Sequence, residues 1–526
     1  MSFPRLSALV AFSPLHAAKS PYRFRQFGPN WRVMIPDWIK KLRAKAGAWL
    51  AKKREARGIA RIKRKLNEQD YWREPQLDKD ENASTQPPTD ESINIWCLWV
   101  VEFYGLSQFQ SLLNGLKSLG LADRKHEREQ SPIEFMQKVR QRSYTGSWLR
   151  LGSIHKRDEQ QWSDALGGGI RADLPRGVDV ANGTVLQVLP SVVAVTMQFV
   201  FDDDTTTCLQ EILQETPATQ TLPMETGHGR LIILPTAQKR DRIAQARASL
   251  RSRCEFWFGQ YLRGVFSASP FPVRFPACEF VTFSKGAPFS DTVERNRYIE
   301  VLGLDRTWEG WKCEQIPGLK LGWRGQQQTG SDYLMLAANE ADVAKSAKEH
   351  QYIETPRFFA MSRLADFDRW LVGWSLRGLL EHYSQSLLEL RDKALRDVTA
   401  PRFSRALRKT QRELLRLRPD VVAFAGDVND MGRSGDLVRM SDYKFEALDT
   451  RSSNRELLEL VLQRVHEESE RLNRNIRSVT DDFMTSVEVR HQSALTWYTA
   501  AIFAFTVVLV ILTGFLIYLE LTRSHT

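Results

Sequence analysis

The chain is poor in the groups on which metal and nucleophilic chemistry rests. Its five cysteines, Cys97, Cys208, Cys254, Cys278 and Cys313, are widely scattered, odd in number and contain no C-x-x-C pair. That spacing excludes a zinc knuckle and a disulfide framework, fits a reducing compartment, and leaves the thiols as core residues. The nine histidines are dispersed, none at a metal-ligand spacing from another, and His228 in ETGHGR sits between glycines, as a turn residue would. No G-x-x-x-x-G-K-[ST], H-E-x-x-H or G-x-S-x-G occurs, which removes the common phosphate-cradle, zinc-protease and serine-hydrolase chemistries. Gly167 to Gly169 has no strand immediately before it and no regular helix after it, so it reads as a loop. No residue earns a catalytic or cofactor-binding role, and the sequence names no cofactor.

Charge is also missing from one long stretch. Between Gln492 and Leu519 there is no Asp, Glu, Lys or Arg, and about 20 apolar residues suffice to cross a bilayer as a helix. Ala500 to Leu519 holds thirteen Leu, Ile, Val or Phe residues, which together favour insertion by roughly 4 to 7 kcal/mol. Trp497 and Tyr498 flank one end and Tyr518 the other, where amphipathic rings prefer the headgroup level. The sequence therefore predicts a single-pass transmembrane helix over 496–519 with a short tail, 520–526. Arg477 and Arg490 precede it and only Arg523 follows, a small bias toward a body in the cytoplasm; a bacterial inner membrane is the expected location.

What is present divides the rest. The formal net charge is +11, and the stretch from Lys40 to Lys65 alone carries twelve Lys or Arg against one acid, Glu55. Residues 1–66 read as a basic leader and an amphipathic helix, in which Trp38, Leu42, Ala46, Trp49 and Leu50 recur near helical spacing after Pro36. Lys40, Lys41, Arg43, Lys45, Lys52, Lys53 and Arg54 are the candidate anionic-surface residues; a solvated face, anionic lipid and nucleic-acid phosphate are the three open readings. Residues 67–91 turn acidic and polar, as a linker does.

From 92 to 363 strand-like and helix-like segments alternate, giving a mixed α/β or α+β domain. INIWCLWVVEFY, LPSVVAVTMQFVF, CEFVTF, RYIEVLGL, LKLGW and DYLMLA read as strands; LSQFQSLLNGLKSLGL, TTTCLQEILQE and KRDRIAQARASLRSRCEFWFGQYLRGVF read as helices. Asp202, Asp203 and Asp204 stand at the end of a strand, where α/β ligand sites occur. They are the metal candidates, through oxygen ligands, with capping of the following helix as the alternative.

Residues 364–452 read as helical with a flexible loop. Phe367, Leu371, Trp374, Leu380, Tyr383, Leu387, Leu390 and Ala394 mark one long amphipathic helix. Pro401 starts a second helix, on which Arg405, Lys409, Arg412 and Arg416 share a face open to solvent or to a lipid leaflet. GDVNDMGRSGD matches part of a calcium loop, but Met431 and Val438 replace required oxygen donors, which leaves a loop. Residues 453–495 form a stalk: Ser453 and Glu456 make a capping box, and Leu458, Leu462, Val465, Ser469, Leu472, Ile476, Val479 and Phe483 alternate at four and three residues. That seam suits either a coiled coil between chains or a hairpin against the chain's own long helix.

The order of parts, a mixed cytoplasmic domain, long helices and a stalk continuing into a span, resembles the layout of CorA-type magnesium channels. In that family a pentamer surrounds a pore, with two spans per chain and a Gly-Met-Asn motif. This chain has one span and no such motif, so the resemblance covers organisation only. Thr499, Thr506 and Thr513 repeat every seven residues along the span; they face a pore in an oligomer or bond back to the helix. The expected function is that of a membrane-anchored sensor or scaffold that self-associates through its stalk. An oligomeric pore or membrane-disrupting effector is the alternative, and an enzyme built around Asp202 to Asp204 a third.

Overall fold

INIWCLWVVEFY, residues Ile93–Tyr104 (β1), shows no polar alternation because the strand is covered on both faces, with ten of its twelve residues buried. The structure is a computed structural model. It describes residues 75–121, 131–142, 146–157, 170–223, 230–269, 274–290, 297–305, 310–324, 333–349, 355–399, 405–434, 441–448 and 456–523. Candidate residues Lys40, Lys41, Arg43, Lys45, Lys52, Lys53 and Arg54, the triple glycine, His228 and Ser453 lie outside them.

The described helices are α1 (Pro75–Thr85), α2 (Phe109–Ser118), α3 (Pro132–Arg142), α4 (Asp203–Thr206), α5 (Cys208–Gln214), α6 (Pro235–Tyr261), α7 (Arg297–Leu302), α8 (Glu340–Glu349), α9 (Pro356–Ser362), α10 (Phe367–Thr399), α11 (Arg405–Ser434) and α12 (Leu457–Arg523). The strands after β1 are β2 (Trp148–Lys156), β3 (Ile170–Ala172), β4 (Val178–Leu189), β5 (Val192–Phe201), β6 (Gln220–Pro223), β7 (Arg230–Ile233), β8 (Ala277–Phe283), β9 (Gly310–Cys313), β10 (Lys320–Arg324), β11 (Tyr333–Asn339) and β12 (Phe445–Ala447).

Ten strands form one sheet in the order β12-β9-β10-β11-β8-β1-β5-β4-β2-β3, and β6 and β7 form a separate hairpin. All neighbours in the large sheet are antiparallel except β8 with β11 and β2 with β3. The architecture is therefore α+β, a large sheet followed by helices. Alternating positions on β1 serve the two faces. Trp99 meets Phe367 of α10 edge-on, while Phe199, across from Leu98, meets Trp257 of α6. The sheet lies between α6 on one side and α9 with the start of α10 on the other.

Three local expectations change. RYIEVLGL contains the helix α7, not a strand: Gly303 takes φ 77°, its N–H bonds Glu300 O, and Leu304 N–H bonds Ile299 O. That pair of bonds is a Schellman stop, and it overrides the β-branched composition. The acidic stretch expected to be a linker contains α1, held by polar contacts rather than an apolar stripe. Asp78 accepts from Thr219, Glu81 from Thr236 and Arg297, and Thr85 from Lys239. GDVNDMGRS is helical through Ser434, and α11 runs on through Pro419. The proline removes one helix bond, but Val421, Phe424, Ala425 and Val428 beyond it are buried against the bundle.

α10, α11 and the first half of α12 form a three-helix bundle. The seam side chains Leu458, Leu462, Val465, Ser469, Leu472, Ile476 and Phe483 are buried, and Gly373 lets α10 approach until an added Cβ would stand 3.1 Å from Leu458 Cδ1. Tyr383 and Phe424 pack α10 on α11 with ring centroids 5.5 Å apart. Of the seam's two readings, the structure has it occupied within the chain, covered by α10, which runs parallel to α12, and by α11, which runs antiparallel to it.

Leu472→Ala removes a side chain that is 2% exposed and is expected to cost about 2–5 kcal/mol. Chemical denaturation at two protein concentrations checks this. A midpoint independent of concentration follows from intramolecular packing, and one that rises with concentration would mean that the seam joins separate chains.

Candidate membrane-proximal site

α12 is 67 residues long, about 100 Å at 1.5 Å per residue. Its first half is buried on one side, and its later window Leu495–Leu516, 22 residues, is long and apolar enough to cross a membrane, with none of it buried. Among the described residues it is the single helix with that property. Trp497 and Tyr498 at its near end are 77% and 70% exposed. Thr499, Thr506 and Thr513 donate their hydroxyl protons to Leu495 O, Ile502 O and Leu509 O at 2.9, 2.8 and 2.8 Å. Each hydroxyl is thereby satisfied in an apolar setting without a neighbour.

The bundle brings the tip of the α10–α11 hairpin toward that window. Ser469 donates to Asn429 Oδ1 at 3.3 Å, and Arg418, Pro419 and Val422 of α11 line an open groove with Arg477 and Asp481 of α12. α11 therefore runs antiparallel to α12, its basic first half pointing to the start of the apolar window. At the other end, α11 is bolted to the sheet. Asp420 accepts from the backbone N–H and hydroxyl of Ser107, and Asp427 accepts from Ser191 N–H at 2.6 Å in the β4–β5 turn.

The aspartates at the end of β5 have separate tasks. Asp202 is the cap of α4, accepting from Thr205 N–H at 2.9 Å, while its other oxygen lies 3.4 Å from Lys156 Nζ. Lys156 and Arg357 converge on Asp179 at 2.7 and 2.6 Å, and Asp203, 3.6 Å from Arg357, is 93% exposed. The cations beside Asp202 are the second neighbours that the run of three aspartates could not reveal. Asp204 is exposed in α4 and joins no described ion pair. Among the described residues no group of three His, Cys, Asp or Glu is placed to hold a metal.

Three buried charged sites escaped sequence reading because their partners come from distant elements. Arg247 of α6 stands 2.8 Å from the fully buried Glu279 of β8, donates to Leu302 O at 2.7 Å, and Tyr333 donates to the same carboxylate. Lys239, also fully buried, donates to Thr85 at 3.0 Å and to Leu213 O at 2.7 Å, near the negative end of α5; burial pushes its pKa down to about 8. Glu102, on β1, accepts from Phe103, Phe266 and Ser267 N–H, each at 2.9 Å. Gly264 is needed there, since a Cβ would stand 2.5 Å from Phe103 O. All five thiols are free and burial raises them, Cys208 and Cys313 to about 11, which keeps them protonated and poorly nucleophilic at neutral pH.

Burial pushes the Glu102 carboxyl up to about 7, against the pull of its backbone donors. The folded state then holds this proton more tightly than the unfolded chain between about pH 4.5 and 7, so stability from this group is full below that window and lost as pH rises through it. The loss is about 3 kcal/mol in order of magnitude. Thermal denaturation of Glu102→Gln against the parent across pH 4–8 is expected to show a flatter slope in that window; parallel slopes would mean that the group does not titrate there.

No protein-family model matches this chain, and no curated protein matches it.

Proposed function

We propose that this is a membrane-anchored protein whose α+β domain receives a partner or signal, acting as a sensor or scaffold at the bilayer. The observation that carries the reading is α12 itself. One unbroken helix is packed into the bundle over its first half and is bare and apolar over Leu495–Leu516, so a change at the sheet has a rigid route to the membrane. α11 supplies the link at the domain end through Asp420 and Asp427. In this reading the span crosses a bacterial inner membrane with the domain in the cytoplasm. Self-association, if the chain uses it, falls to surfaces outside the buried seam.

An oligomeric pore rests on the threonine face and on the CorA-like order of parts. Those hydroxyl protons are committed to the helix's own carbonyls, and the anchor reading needs nothing further from them. Liposome flux that depends on Thr499, Thr506 and Thr513 would reverse that preference.

Expression of the full chain and of a version ending at Ala494, followed by alkaline carbonate extraction of membranes, tests the anchor. The full chain is expected to stay in the pellet and the shortened one to be released. Release of the full chain would overturn the reading.

A further inference from the structure

We propose that the first half of α11 docks on the anionic headgroups of the bilayer that α12 crosses, with Lys409 and Arg412 as contact residues. This rests on the membrane reading above, and charge and level both carry it. From Arg405 to Arg418 there are six basic residues and one acid, Glu413. Glu413 is engaged by Lys393 of α10 at 2.6 Å, with Lys409 at 3.9 Å. The Lys409 side chain nevertheless remains 73% exposed. Arg412 is exposed too, with no carboxylate pairing it among the described residues.

The Ser469–Asn429 contact sets the level. Lys409 lies twenty residues back from Asn429 and Val489 twenty residues on from Ser469, so these two stand side by side along the antiparallel pair. Val489 is eight residues before Trp497, about 12 Å along the helix. An extended lysine plus one screening length of about 8 Å covers that distance. Arg412 comes in level with residue 486, about 16 Å below Trp497, within reach of a long guanidinium side chain and the same screening length. Arg416 lies about 22 Å below and Arg418 further still, so neither belongs to the contact. Arg412 adds a planar fork suited to phosphate oxygens, and Lys409 a compact charge. Leu395 of α10, 59% exposed and two residues past Lys393, places apolar surface at the same end, as interfacial helices do.

The test uses the full chain in nanodiscs of phosphatidylcholine alone or with phosphatidylglycerol, followed by amide hydrogen exchange in the peptide spanning 405–415. The anionic lipid is expected to slow exchange there by about fivefold or more, the factor one membrane-facing cation supplies. The slowing is expected to vanish in high salt and in the variant Lys409→Gln with Arg412→Gln. Equal exchange in both lipids, with the chain retained in the discs, would overturn the docking and leave the anchor standing. A chain that does not remain with either disc would overturn both. Slowing that survives high salt would mean apolar contact without headgroup recognition, and would also overturn the proposal.

Discussion

One helix carries two kinds of surface. α12 begins with a narrow stripe of Leu458, Leu462, Val465, Leu472 and Ile476 that must be buried by protein, and continues into Leu495–Leu516, where no side chain is buried at all. The second part is helical throughout, so its backbone bonds are made internally, as a bilayer interior would require, and its threonines give their hydroxyl protons to the helix's own carbonyls. The rest of the bundle follows from the first part. A stripe of this kind needs a cover, and α10 and α11 provide it on two sides, which is why α11 persists through Pro419 instead of ending there.

The sheet and the bundle are joined by polar groups placed where apolar packing gives way. Asp420 and Asp427 of α11 reach backbone donors in the loop after β1 and in the β4–β5 turn, and within the sheet domain Glu102 gathers three N–H groups around Gly264. Buried carboxylates that lose a partner are strongly destabilising, so the contacts of Asp420, 5% exposed, hold α11 against the loop after β1. Arg247 with Glu279 and Lys239 with the end of α5 do the same for α6.

Runs of β-branched and aromatic residues made β1, β5, β8 and β11 legible, since a strand buried on both faces has no competing polar signal. The long helices were legible from their period, and the apolar window from its length. What could not be read depends on partners far along the chain. Arg247, Arg251 and Lys239 look like a solvated face of α6 until Glu279, Phe275 O and Leu213 O are brought beneath them. The two readings of Asp202, helix cap or cation ligand, could not be separated by spacing; the structure gives it the Thr205 N–H and Lys156 as partners. The seam's two readings, between chains or within one, could not be separated by spacing alone, because both use the same stripe.

The proposed function depends most directly on α12 being continuous and stiff from the bundle to its apolar window. Spin labels at Glu470→Cys and Gln492→Cys, both exposed positions, with Cys208 replaced by Ala, read it directly by pulsed dipolar spectroscopy in nanodiscs. A continuous helix gives one narrow distance near 33 Å, from about 22 residues at 1.5 Å each. A broad or markedly shorter distribution would place a hinge between bundle and span and remove the rigid route on which the proposed function depends.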